Sequence, residues 1–176
     1  MTSLRSQVAP FHVMEVAKAA LARQASHGDA TWLCVGQPAT PAPRAVREAA
    51  TAAVATQVLG YTVAAGIAEL RTAVAADYLH RYGVQVSPAE VLITTGSSGG
   101  FLLTALAAFD AGDEVAMTRP GYPAYRNTLS SLGVSVVDLD VDASTRFQPT
   151  VAMLDALPRA PRGLVLASPS NPTGTI

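Results

Sequence analysis

Of the twelve lysine and arginine residues in this chain, only one, Lys18, is a lysine. The phosphate grip of a P-loop needs a lysine inside G-x-x-x-x-G-K-[ST], and that motif is missing. Cysteine is equally scarce. Cys34 stands alone, so no internal disulfide can form, a reducing compartment fits, and the residue reads as a small buried hydrophobe. Charge of either sign is thin: 14% of residues are charged, where about a quarter is usual. A chain this poor in charge is compact or hides surface against a partner. With a net charge of −1 and no basic run, neither nucleic acid nor an anionic membrane surface is an expected partner. No apolar run approaches the roughly 20 residues that span a bilayer. Residues 1–24 carry charges through their apolar stretch, unlike a signal peptide, and a cytoplasmic protein is expected. Apolar residues still make up 49%, ample for a core and too much for disorder.

Residues 10–27 place Phe11, Met14, Ala17 and Leu21 at helical spacing, with Glu15, Lys18 and Arg23 elsewhere. The run "TWLCVGQP", 31–38, predicts a short extended segment ended by Gly36 and Pro38. "TPAPRAVREAATAAVAT" predicts a helix opened by prolines, and "QVLGYTVAAG" a loop. Residues 67–83 predict the best helix of the chain, with Ile67, Leu70, Val74 and Leu79 apolar and Gly83 as its stop. From there the rhythm changes. Strands are expected over 91–95, 114–118, 134–139 and 163–167, alternating with helices over 98–109, 125–132 and 151–157. Such alternation predicts an α/β fold with a parallel sheet covered by helices. The first 40 residues stand outside that rhythm and are expected to belong to another subdomain.

The turn Gly96-Ser97-Ser98-Gly99-Gly100 has two readings. It fits G-x-S-x-G, a hydrolase elbow with Ser98 as nucleophile. It also fits a phosphate cradle at a helix N-terminus. The elbow needs a base, and in the hydrolase order acid and histidine follow the serine; His12, His27 and His80 all precede Ser98. Only one predicted strand comes before this one, whereas the elbow normally follows several. The cradle has support elsewhere in the chain. "RPGYPAY" follows the strand ending at Thr118, and "SPSNPTG" follows the strand ending at Ala167. Both fall at carboxyl ends of predicted parallel strands, where open α/β sheets bind ligands. Gly96, Ser97 and Ser98 offer amides and hydroxyls to a phosphate. Tyr122 offers a flat face to a ring, and Asn171 an amide donor to a ring oxygen. Phosphate, aromatic ring and phenolic oxygen together describe pyridoxal phosphate. A dinucleotide is a poorer fit, because G-x-G-x-x-G with its later acid is missing. The acids Asp113 and Glu114 read as solvated charges at a strand start, and no metal site is expected.

"LGYTVAAGIAELRTAVAADY", "ITTGSSGGF", "DAGDEVAMTRPGYPAYRNTL" and "SPSNPTGT", in this order, resemble the N-terminal part of a class I/II aminotransferase, a pyridoxal-phosphate enzyme of fold type I like aspartate aminotransferase. The resemblance covers nearly the whole chain from about Phe11. It implies a three-layer αβα large domain over 41–176, left incomplete, preceded by an N-terminal arm or part of a small domain over 1–40. It also implies roles for single residues. Gly96, Ser97 and Ser98 match the turn that holds the cofactor phosphate. Tyr122 matches the ring that stacks on the cofactor, and Asn171 the asparagine on its 3′-oxygen, before a proline bond that is often cis. Gly36 matches the glycine whose backbone holds the substrate carboxylate. Tyr61 matches the tyrosine that reaches the neighbouring subunit's cofactor phosphate, so a homodimer is expected.

Amino-group transfer between an amino acid and a 2-oxo acid needs a lysine that holds the cofactor covalently and moves a proton. Lys18 lies on the N-terminal amphipathic helix and reads as a solvent-facing charge. In the resembled family the lysine, an acid and an arginine all follow "NPTG", beyond Ile176. The chain stops after a strand and turn with no covering helix, so the front part of a longer biosynthetic transferase is expected, inactive alone. The alternative expectation is a non-catalytic remnant that binds cofactor or a partner.

Overall fold

The computed structural model describes residues 3–176. Contacts divide the chain into two compact units: Val13–Thr94, and Thr95–Ile176 together with the segment up to His12. Neither boundary falls at residue 40, and assigning the first 40 residues to a small domain stays a proposal.

The Val13–Thr94 unit is helical. α1 (His12–His27) forms where the periodicity predicts it, and Ala17 is the residue it buries. α2 (Arg44–Thr56) starts directly after Pro43, whose ring fixes a backbone angle suited to a helix start. α3 (Ala68–Tyr82) ends at Gly83, which takes the left-handed conformation (φ 67°) and returns its amide to the Leu79 carbonyl at 3.0 Å. The apolar residues that predict α3 do not end in a core here. Ile67, Leu70 and Leu79 are 43–55% exposed, and only Ala75 is buried.

Two predicted strands are not formed. Residues 31–38 and 91–95 are irregular. A strand exists only when a neighbouring backbone completes its ladder, and apolar content cannot supply that neighbour. At 91–95 the backbone is served otherwise: the Ile93 amide donates to the Ala65 carbonyl, and Arg71 Nε donates to the Val91 carbonyl. Gly66 makes this approach possible, since a Cβ there would sit 2.4 Å from the Ile93 side chain.

The other unit carries the sheet. β1 (Glu114–Arg119) is its middle strand, with β2 (Ser135–Asp140) on one side and β3 (Gly163–Val165) on the other, all parallel. Before β1 comes α4 (Gly96–Ala108), two residues earlier than the pattern suggests. α5 (Pro123–Ser131) crosses from β1 to β2, and the short α6 (Val151–Asp155) precedes β3. Val115 and Met117 point from β1 into a cluster with Ala105 of α4, Leu129 of α5 and Val134. Full burial of Val115 and Leu129 stabilises by about 1.5–3 kcal/mol each, before packing is counted. Ala105, 1% exposed, is small enough to let α4 approach closely. The result fixes where β1 and β3 end, and the site is built from those ends.

Candidate functional site

The first part of the site is the start of α4. Gly96 takes φ +75°, a left-handed angle that sets the turn into the helix and that a side chain would oppose. Thr95, the residue before, gives no side-chain cap. Ser97 and Ser98 are exposed, and their hydroxyls bond no other described residue. A 13-residue helix therefore presents first-turn amides, two hydroxyls and the positive end of its dipole together. The elbow reading gains nothing: among the described residues Ser98 has no histidine partner, and His27 pairs with Ser26 at 2.7 Å on its own helix.

Tyr122 comes off the end of β1 through a tight turn. Gly121 is forced there by contact, because an added Cβ would lie 2.4 Å from the Thr118 carbonyl oxygen. Pro123 then starts α5, with Tyr122 in extended backbone just before it. The tyrosine ring stands edge-on to Tyr125, centroids 5.1 Å apart, and Tyr125 lies against Phe101 of α4 at 4.4 Å. Tyr122 is thus tied, through Tyr125, to the helix that starts at Gly96.

Sequence reasoning missed an ionic network beside this turn. Arg119, the last residue of β1, donates through Nε and Nη2 to Asp140 at 2.6 and 2.8 Å, and through Nη1 to Asp138 at 2.9 Å. Arg126 of α5 also donates to Asp138. The hydrogen bond to Asp140, then the charges of Asp140 and Asp138, raise the Arg119 pKa. The cause is register: Met117 faces Asp138 and Arg119 faces Asp140 across β1 and β2. The alternating acids of "VVDLD" were the available signal, but strand pairing was needed to match them.

Asn171 lies in the loop after β3, where it is exposed, with Asn171–Pro172 in the cis form. The loop is tightly held. Ser170 is buried and donates its amide to the Thr175 carbonyl, Gly174 donates back to the Ser170 carbonyl, and Gln148 Nε2 donates to the Thr175 carbonyl at 2.8 Å. Because β3 pairs with β1 in parallel, the Tyr122 and Asn171 loops leave the same edge of the sheet. Asp113 and Glu114 mark the opposite edge. Asp113 accepts from the Asp110 amide, and Glu114 forms a two-point pair with Arg159 at 2.6 and 2.7 Å.

Gly36 and Tyr61 belong to the Val13–Thr94 unit, where both are exposed in irregular backbone. Lys18 is exposed on α1 of that unit. Cys34 is half-buried and free. No helix among the described residues is long and apolar enough to cross a membrane.

Three stretches of one unit therefore offer a helix N-terminus with two hydroxyls, an aromatic ring and an amide donor. This donor set fits a phosphorylated aromatic ring that carries an oxygen. Gly96–Ser98 can hold the phosphate, Tyr122 the ring face and Asn171 the ring oxygen.

Comparison with known proteins agrees in kind. The family model "Aminotransferase class I and II" matches residues 28–176. A valine–pyruvate aminotransferase of Mycobacterium tuberculosis is 58% identical over 174 residues, covering 99% of this chain and 45% of that protein. The crystal structure of an aminotransferase from the same organism superposes with a TM-score of 0.93 at 56% identity, over 98% of this chain and 44% of the other. The aspartate aminotransferase of Thermus thermophilus with maleate gives 0.90 at 30% identity, over 98% and 46%. The chain thus spans somewhat under half the length of these relatives, and its sheet is part of the fold-type I αβα architecture they share.

Proposed function

This chain belongs to the class I and II aminotransferases, and from that premise we propose that it is the N-terminal part of a pyridoxal-phosphate enzyme moving an amino group between an amino acid and a 2-oxo acid. The observation that carries the reading is that Gly96–Ser98, Tyr122 and Asn171 share one contact unit, the last two on loops after adjacent parallel strands. When bound, the cofactor supplies an electron-poor ring that makes the substrate Cα proton removable. The chain's own residues bind and orient. The first-turn amides of α4 and the Ser97 and Ser98 hydroxyls neutralise the phosphate. Tyr122 stacks on the ring and excludes water from that face. Asn171 donates to the ring oxygen.

Gly36 is assigned the substrate carboxylate through its backbone, and Tyr61 the cofactor phosphate of a neighbouring subunit in a cytoplasmic homodimer. Residues 1–40 are assigned to an N-terminal arm with part of a small domain, and 41–176 to the large domain. The covalent lysine lies, in this reading, in the portion of the relatives' length that this chain does not span. Similarity to the valine–pyruvate enzyme favours valine as donor and pyruvate as acceptor.

The test uses the full-length protein loaded with pyridoxal phosphate. Alanine formation from valine and pyruvate is expected, and Tyr122→Ala and Asn171→Ala each weaken cofactor binding. Full cofactor affinity in both variants would remove the site assignment.

A further inference from the structure

Aromatic residues make up only 6% of the chain, yet four of them form one continuous train. Phe101 lies against Tyr125 at 4.4 Å, Tyr125 stands edge-on to Tyr122 at 5.1 Å, and Tyr122 stands edge-on to Phe11 at 6.2 Å. Phe101 is one helical turn after Ser97 and Ser98, on the same side of α4. The train therefore runs from the phosphate turn through the stacking ring to the N-terminal segment, all within one contact unit. The Tyr122 ring has two nearly perpendicular neighbours, at 77° and 83°, whose contacts oppose its rotation. A second tie fastens the segment that carries Phe11: Asn127 of α5 donates its side-chain amide to the Ala9 carbonyl at 3.3 Å.

We infer that Phe11 is a positioning residue for the cofactor ring, acting through Tyr122. It is not part of the core cluster around Val115 and Leu129, being the half-buried end of a segment latched onto α5. Its contact holds the Tyr122 ring plane before any ligand arrives, so less rotational freedom is lost on binding. The inference rests on the proposed stacking role of Tyr122.

The experiment is a double-mutant cycle in the full-length protein, with pyridoxal phosphate itself as the titrant. Affinity and the visible circular-dichroism band of the bound cofactor are the readouts. Phe11→Ala weakens binding about three- to tenfold and reduces the band. Phe11→Tyr, which keeps an edge-on ring, restores both. In a Tyr122→Leu background Phe11→Ala has no further effect, because the residue through which it acts is gone. Asn127→Ala, which releases Ala9, shifts affinity in the same direction and serves if Phe11→Ala folds poorly. Equal additional losses in both backgrounds, or normal affinity for both Phe11→Ala and Asn127→Ala, would overturn the inference. Unchanged affinity in Tyr122→Leu alone would instead remove the stacking assignment, and the inference with it.

Discussion

At the scale of single residues, contact geometry decides what each position tolerates. Gly121 has no room for a side chain, because the Thr118 carbonyl fills the space a Cβ would take. Gly121→Ala must move the turn that delivers Tyr122, at a cost of about 1–3 kcal/mol. The expected outcome in the full-length protein is a lower melting temperature together with weaker cofactor binding; an unchanged cofactor affinity would mean that Tyr122 reaches its place by another route. Glu114 illustrates charge rather than volume. Its hydrogen bond to Arg159 holds the carboxylate below its ordinary value of 4.5. A carboxylate whose pKa is lowered by folding contributes stability that is complete above that ordinary value and drains away as pH falls through the lowered one. Denaturant unfolding of the wild type and Arg159→Ala, each followed from pH 7 down to 3, should therefore converge at the acid end. A gap that stays constant across that range would assign the effect to packing. Because Arg159 is largely exposed, the gap at neutral pH is expected to be small and to shrink with added salt.

Elements matter here for what they hold in place. α5 carries Tyr122 at its start, Tyr125 and Arg126 in its first turns, and the fully buried Leu129 near its end. One nine-residue helix thus joins the core, the aromatic train and the ionic network. Leu129→Ala leaves a cavity beneath it and should lower stability by about 2–5 kcal/mol, read as a shift of the urea midpoint. A loss under about 1 kcal/mol would show that α4 and β1 collapse into the space. The ionic network needs two strands in register before it exists, so it contributes specificity to the β1–β2 pairing more than net stability. α2 differs from α5: none of its residues is buried, and Val46 and Val54 are 56% and 73% exposed although the helix has distinct apolar and polar sides.

For the molecule as a whole, surface area is the informative quantity. The chain exposes 13093 Å². Two independent compact units sharing its 18.1 kDa would together expose about 9,700 Å². Apolar side chains contribute to the surplus: Leu102, Leu103 and Leu106 of α4, Leu59, Tyr61 and Val63 in the loop before α3, and Leu164 and Leu166 around β3 are all exposed. Low charge leaves little to keep such surface in solution. Expressed alone, the 176-residue chain should bind a hydrophobic dye strongly and self-associate in size-exclusion chromatography. Dye binding at the level of an ordinary folded protein would show that the chain covers this surface by itself. Measurable amino transfer by the same chain would contradict the proposed need for a lysine outside it.

The sequence by itself determined much of this protein's local structure. Proline before α2, glycine after α3 and the switch from helical to alternating rhythm are local signals, and helices close their hydrogen bonds locally. The same holds for the parallel sheet and for the two loops that carry Tyr122 and Asn171, since parallel strands joined by helices place their carboxyl ends at one edge. Tertiary structure decided the rest. Residues 91–95 look like a strand by composition but find no ladder neighbour among the described residues, and the apolar face of α3 is exposed although its period predicts burial. Pairing, burial and the contacts of Arg119 with Asp138 and Asp140 depend on residues 19–21 positions away. The approach of Phe11 to Tyr122 crosses a still longer stretch of chain. No periodicity within a segment encodes which distant segment will stand beside it, and it was that placement which turned Tyr122 from a ring on a turn into a ring in contact with two others.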